Sequence, residues 1–248
     1  MSRTCIAVIP ARGGSKRVPG KNVQDMRGRP LISYTIDAAL RSELFERVVV
    51  STDSEEIAET AVRLGAEVPF LRDANLSDDH TPVSAATVDV LVRLDPAGTM
   101  FDHACQLMAN CPLRDASDIV ASHRQFVETG ADSQISVVRY GWQNPWWALR
   151  RDAAFRLEPV FAQYMTQRSQ DLPEIFCPTG AVWWAKTQVL RREGTYHVPN
   201  RTGWELPSWE RGVDIDTEDD WALAELLMER AAGRGQSGSA EPPTGERR

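Results

Sequence analysis

The sequence predicts an α/β fold: a three-layer, doubly wound, mainly parallel sheet with a small β-rich excursion. Three observations predict it. Short apolar, β-rich runs alternate with amphipathic helical runs, the pattern of strand–helix–strand units with right-handed crossovers. The first two strand-like runs are nearly unbroken in apolar residues, as strands covered on both faces should be. A glycine-rich basic loop leaves the end of the first run, where ligand loops of parallel sheets belong.

The elements follow in order. "TCIAVIP" (4–10), "RVVVST" (47–52), "HACQLMA" (103–109) and "SQISVVRY" (133–140) read as strands. Between them Ile32, Ile36, Ala39 and Leu40 share a helical face, as do Ile57, Ala61 and Leu64. The same spacing joins Ala86, Val90 and Leu94, then Ile119, His123, Phe126 and Val127. Asp53 before Glu56, and Thr217 before Asp220, are capping patterns. Residues 141–186 break the rhythm and concentrate aromatics, among them Trp142, Trp146, Trp147, Trp183 and Trp184. They are expected to form a β-rich unit that covers the site, packs on another subunit, or is an ordinary subdomain core. The expected organisation is one domain over 1–230 and a disordered Gly/Ser/Pro/Glu tail over 231–248.

With 248 residues and 42% apolar content the chain can build one sizeable core. Its formal charge of −7 does not suit nucleic-acid binding, so a basic loop points to a local anion site. No apolar run reaches the ~18 residues of a membrane span, and no signal-peptide pattern opens the chain. Cys5, Cys105, Cys111 and Cys177 lack metal-like spacing and read as reduced thiols of a cytoplasmic protein. His103 and His123 read as structural, whereas His80 falls in a loop near the expected site.

"PARGGSKRVPGKN" (10–22) carries Arg12, Lys16, Arg17 and Lys21. It is not a P-loop, because five residues separate Gly14 from Gly20 and Asn22 follows Lys21. Gly13 and Gly14 let backbone N–H groups approach an anion, while Arg12 offers a planar fork and Lys16 and Lys21 offer point charges. A triphosphate would engage all of them; a solvated basic turn is the plainer alternative. In "GVDIDTEDDW" (212–221), Asp214 and Asp216 would share one face of an extended strand, with Ile215 pointing to a core. Paired carboxylates beside a phosphate loop suit Mg²⁺. The alternative is an acidic helix start, which Asp219 and Asp220 favour in any case.

Taken in order, "IPARGGSKRVPGKN" (9–22), "VVVSTDSEEIAETAVRLGAEVPFLR" (48–72), "CPLRDASDI" (111–119), "RSQDLPE" (168–174), "TGAVWWAK" (179–186) and "DIDTEDDW" (214–221) resemble the acylneuraminate cytidylyltransferases, which activate sialic and related nonulosonic acids as CMP-sugars. The resemblance implies the nucleotide-diphospho-sugar transferase fold and the transfer of CMP from CTP to the anomeric hydroxyl of such an acid. It implies that Arg12, Gly13, Gly14, Ser15, Lys16, Lys21 and Asn22 hold CTP, joined by Arg72 and Ser84. It further implies Mg²⁺ on Asp214 and Asp216, sugar contacts from Arg168 and Gln170, and a homodimer in which the 141–186 excursion reaches over the partner's site. For the chemistry, Arg12 and Lys21 are expected to neutralise the phosphates, and Asp216, through a metal-bound water, to serve as the base. Two departures stand out. Met108-Ala109-Asn110-Cys111-Pro112 replaces the usual Gln-Pro-Thr-Ser-Pro, and Thr179-Gly180-Ala181 replaces Asn-Gly-Ala. Arg168-Ser169-Gln170-Asp171 looks more like the pseudaminic-acid enzymes. The competing classes are a nucleotidyltransferase for another sugar or sugar phosphate, which usually carries a GxGTRL-like loop, and a non-catalytic nucleotide-binding homologue, which should have lost Arg12, Lys21, Asp214 or Asp216.

Overall fold

The computed structural model describes residues 3–78 and 81–237. The chain runs β1 (Cys5–Pro10), a short hairpin β2 (Asp25–Met26) and β3 (Arg29–Pro30), α1 (Leu31–Arg41), β4 (Arg47–Ser51), α2 (Glu55–Arg63), α3 (Val83–Leu94), β5 (His103–Gln106), α4 (Ala116–Thr129) and β6 (Ser133–Arg139). It continues with β7 (Leu149–Arg151), β8 (Leu157–Pro159), β9 (Phe176–Lys186), α5 (Thr187–Glu193), β10 (Arg201–Glu205) and α6 (Glu218–Ser237).

Six strands form one sheet in the order β10-β6-β9-β5-β1-β4. β1 pairs parallel with β4 and β5, and β10 pairs parallel with β6. β9 runs antiparallel to both its neighbours. The unbroken apolar runs have a simple origin. Cys5, Ala7 and Ile9 of β1 face a layer built by Ile32 and Ile36 of α1, Ile57 and Ala61 of α2, and Ile119 and Phe126 of α4. Ile6 and Val8 face the opposite layer, with Val90 and Leu91 of α3 and Leu190 of α5. Successive side chains point to opposite faces, and both faces are covered, so no polar residue is tolerated in between.

Several expectations change. Residues 176–186 are not part of the excursion: β9 is an interior strand, and Trp184 lies at its centre, fully buried. The excursion is therefore the stretch between β6 and β9. It is only sparsely β, holding the small β7–β8 hairpin and one-turn 3₁₀ segments. The residues expected to open a disordered tail instead continue α6 to Ser237; positions 238–248 lie outside the described residues. Leu40, placed on the buried face of α1, is 40% exposed. Ser54, not Asp53, caps α2, its hydroxyl accepting from Ile57 N–H. Among the described residues no helix is long and apolar enough to cross a membrane.

Trp184 ties the α1/α2/α4 layer together. Its ring stacks on Phe45 and Phe126 at 5.6 and 6.3 Å, and its indole N–H donates to Ser122 Oγ at 3.0 Å. Trp184→Ala removes that volume and leaves Ser122 without its donor, so urea unfolding should show a loss of about 3–5 kcal/mol.

Candidate active site

The loop after β1 is shaped by its neighbours before any ligand is considered. Asp53, just beyond β4, accepts the Gly13 N–H at 2.8 Å. A Cβ at position 13 would lie 3.0 Å from the Ser54 Cβ, so the two loops meet only because residue 13 is glycine. Asn22 is buried and donates its side-chain amide to the Arg12 carbonyl at 3.0 Å, clasping the loop across its base. Gly20 turns the chain in the left-handed region at φ 64°. Val18, the only aliphatic residue after Ala11 in this loop, is buried with Met26, Leu31, Ile215, Trp221 and Ala224. That small cluster contains both the loop and the acidic segment, so apolar packing fixes one against the other.

The acidic segment is not the strand expected. Residues 213–216 lie outside regular secondary structure and pair with no sheet, between a 3₁₀ turn at Trp209–Gly212 and α6. Their register comes from Asn110, past the end of β5. Ile215 N–H donates to the Asn110 carbonyl at 3.0 Å, and the Asn110 amide donates to the Asp214 carboxylate and to the Ile215 carbonyl. Ile215 does point into the core, as expected. Thr217 caps α6, accepting from Asp220 N–H at 3.2 Å while the Asp220 carboxylate takes the Thr217 N–H at 2.8 Å.

Loop and acidic segment then meet directly. Lys21 Nζ donates to the Ile215 carbonyl at 2.6 Å and to Asp216 Oδ1 at 3.0 Å. Arg17 Nη2 donates to Asp216 Oδ2 at 2.7 Å. Burial, then the neighbouring Asp216 charge, pushes the Asp214 carboxyl up from its ordinary 3.8 to about 6, with Lys21 opposing the rise. Two cavities of about 300 and 390 Å³ adjoin here and share Arg12, Lys21, Asn22 and Asp216. The first also takes in Arg72, Asp78, Thr81, Asn110 and Asp214; the second takes in Ser15, Lys16 and Arg17. The cleft sits at the carboxyl ends of β1 and β5, the ligand-binding edge of a parallel sheet. A cationic wall facing a half-neutralised carboxylate pair suits a polyphosphate carried with a divalent cation.

Of the residues singled out in the sequence, Arg12, Lys21, Asn22, Arg72, Asp214 and Asp216 line one cleft, and Ser15 and Lys16 line its extension. Gly13 serves the Asp53 contact, and Gly14 is exposed beside it. Arg72 is buried, with Nε donating to Ser77 Oγ at 3.0 Å and Nη2 lying 4.0 Å from Asp53. Ser84 does not join them: its hydroxyl donates to the Gly194 carbonyl at 2.8 Å and does not line the cleft. Arg168 and Gln170 lie exposed in the excursion and line neither cavity. His80 lies outside the described residues. Sequence reasoning quoted Asn110 only within a departure from the family pattern and gave it no role, and it counted Arg17 among the loop cations without giving it one.

The chain is similar to several known proteins. A family model described as "Cytidylyltransferase" matches residues 6–147. The chain is 36% identical over 225 residues to CMP-N,N'-diacetyllegionaminic acid synthase of Legionella pneumophila, covering 90% of this chain and 96% of that protein. It is 32% identical over 224 residues to a pseudaminic acid cytidylyltransferase of Campylobacter jejuni, covering 90% and 95%. The solved structure of CMP:2-keto-3-deoxy-manno-octonic acid synthetase complexed with CTP superposes with a TM-score of 0.68, covering 92% of this chain and 99% of that one, at 17% identity, a likeness of fold alone.

The raised Asp214 makes a stability prediction. The folded protein holds a proton on Asp214 that the unfolded chain has lost between pH 3.8 and about 6, so metal-free stability falls as pH rises through that window. The cost is at most about 3 kcal/mol. Asp214→Asn, whose amide oxygen can still accept from Asn110, should flatten this limb of the stability–pH curve and be more stable than the parent at pH 8, as read by urea denaturation in chelator.

Proposed function

This chain belongs to the cytidylyltransferase family, and we propose that it transfers CMP from CTP to the anomeric hydroxyl of a nonulosonic acid, with release of pyrophosphate. The observation that carries the reading is the meeting of Lys21 and Arg17 with Asp216, and of Asn110 with Asp214, in one cleft that Arg12 and Arg72 also line. Relatives of matching length named for pseudaminic and legionaminic acid chemistry support the acceptor class.

The anomeric oxygen attacks the α-phosphorus in line; its new bond to phosphorus forms as the bond to the β-phosphate oxygen breaks. The protein's work is positioning and charge neutralisation. Lys21 and Arg17 hold Asp216. When the triphosphate enters, those cations turn to its oxygens, together with Arg12, Lys16 and Arg72, and the backbone around Gly14 and Ser15 supplies N–H donors. Each well-placed donor to the developing charge is worth about 3 kcal/mol. The exchange frees one oxygen of the Asp216 carboxylate to take the proton from the attacking hydroxyl, leaving its other oxygen available to a divalent cation. The buried Asp214, destabilised as an anion, fits a divalent cation, and Asp214 and Asp216 would hold Mg²⁺, which supplies Lewis-acid neutralisation of the phosphates.

The same reading makes the excursion a dimer element. Trp142, Phe155 and Leu157 are 86%, 73% and 59% exposed, large apolar side chains that a partner subunit would cover. Arg168 and Gln170, which line neither cavity of their own chain, would reach the sugar in the partner's cleft. Sedimentation should show a homodimer that dissociates in a Trp142→Asp/Leu157→Asp variant; a monomeric parent protein would end this part of the reading.

Pyrophosphate release, measured with each nucleoside triphosphate, Mg²⁺ and a panel of nonulosonic acids, tests the function. CTP with pseudaminic or legionaminic acid should give turnover, and Lys21→Ala should raise the KM for CTP at least tenfold. Asp216→Asn should abolish turnover while leaving far-UV circular dichroism unchanged. Turnover with a sugar 1-phosphate in place of the free acids would replace the acceptor, and unchanged CTP kinetics in Lys21→Ala would remove Lys21 from the site.

A further inference from the structure

A second cluster of reactive side chains lies at the other edge of the sheet. Cys5 and His103 open the adjacent strands β1 and β5 and are register partners, each 1% exposed. His123 projects onto them from α4. His103 Nδ1 and His123 Nε2 lie 3.1 Å apart, and Cys5 Sγ lies 3.5 Å from the same His123 nitrogen. The three donor atoms fall within 4.8 Å of one another. Trp184 and Phe126 pack on the imidazoles at ring separations of 4.5 and 4.9 Å and wall the cluster with apolar surface.

We propose that Cys5, His103 and His123 form a binding site for a soft divalent cation, with Zn²⁺ the best fit. Zinc takes thiolate at about 2.3 Å and imidazole nitrogen at about 2.0–2.1 Å in a tetrahedron. Those lengths put two nitrogens about 3.3 Å apart, and sulfur and nitrogen about 3.6 Å apart. Two observed separations, 3.1 and 3.5 Å, need to open by only a few tenths of an ångström, and the Cys5–His103 pair, within 4.8 Å, sets how far the third must adjust. Two imidazoles and one thiolate exclude Mg²⁺ and Ca²⁺, which prefer oxygen, so this site and the carboxylate pair at the opposite edge would select different ions. On binding, one S–Zn and two N–Zn bonds form, the thiol proton leaves to solvent, and water fills the fourth position.

The charges around the cluster are mixed. Arg3 Nη1 lies 3.0 Å from His103 Nε2, and Lys186 stands further off. Asp102 and Glu46 act on Cys5 and offset them. With His103 ligated through Nδ1, its proton moves to Nε2, so the exposed Arg3 side chain must swing away.

Cobalt(II) chloride titrated into the reduced full-length protein, in excess Mg²⁺ to occupy the carboxylate pair, tests the site. One equivalent per chain should give a thiolate-to-cobalt charge-transfer band in the near ultraviolet and the visible absorption of tetrahedral cobalt, and Zn²⁺ should bleach both. Cys5→Ala and His123→Gln should each lose these bands, and Cys111→Ala should keep them. Zn²⁺ should also raise the melting temperature of the parent protein but not of His123→Gln. Absence of the bands in the parent would mean a hydrogen-bonded cluster only. A band that persists in Cys5→Ala and vanishes in Cys111→Ala would assign the metal to a different thiol. If Cys5→Ala fails to fold, the parent titration and His123→Gln, altered at a half-buried helix position, still decide the matter.

Discussion

Everything at the cleft depends on the contact between Lys21 and the Ile215–Asp216 stretch. These residues are nearly two hundred positions apart, and each belongs to a segment of one dominant charge. Left alone, the loop with Arg12, Lys16, Arg17 and Lys21 would repel itself, and so would the run from Asp214 to Asp220. Held together they neutralise one another. The small apolar cluster of Val18, Leu31, Ile215 and Trp221 supplies the non-directional part of the attraction, and the Lys21 hydrogen bonds to Ile215 and Asp216 set the register. A side chain 14% exposed, as Lys21 is, feels less solvent screening than an ordinary surface pair. The cleft thus holds its cations and carboxylates in mutual balance.

The sheet has two chemically distinct edges because of its strand directions. Carboxyl ends of β1 and β5 open onto Arg12 and Asn110; their amino ends begin with Cys5 and His103. One edge is hard and oxygen-rich, the other soft and rich in nitrogen and sulfur. Trp184 and the α4 side chains seal the second edge, and in doing so they place His123 where it meets the two strand ends. The same packing that stabilises the fold therefore brings the three soft donors together.

Much of this architecture could be read from residue order. β1 and β4 announce themselves because both faces are covered, leaving an apolar residue at nearly every position. The basic loop and the paired aspartates were legible because charge and glycine crowd into short stretches. β9 was not. Its Thr179-Gly180 break and its neighbouring tryptophans resemble the aromatic excursion before it, and only the sheet reveals that Trp184 faces inward while Gly180 lets Met108 approach. Asn110 was illegible for a different reason: its work is to hold a segment far away in sequence, and no local spacing records that. Ser84 shows the converse error, a residue carried into the site by resemblance whose hydroxyl the fold uses to bind Gly194. The soft cluster escaped because Cys5 and His123 stand 118 positions apart, and the histidines read singly as core residues.

The central claim is that the loop and the acidic pair share one electrostatic field. Carbon-13 NMR of labelled aspartate side chains, titrated in metal-free protein with and without Lys21→Met, measures it directly. Because Lys21 opposes the rise of the Asp214 carboxyl, its removal should move that titration upward from about 6. An Asp214 midpoint unmoved by the loss of Lys21, in a protein that keeps its fold, would contradict the account.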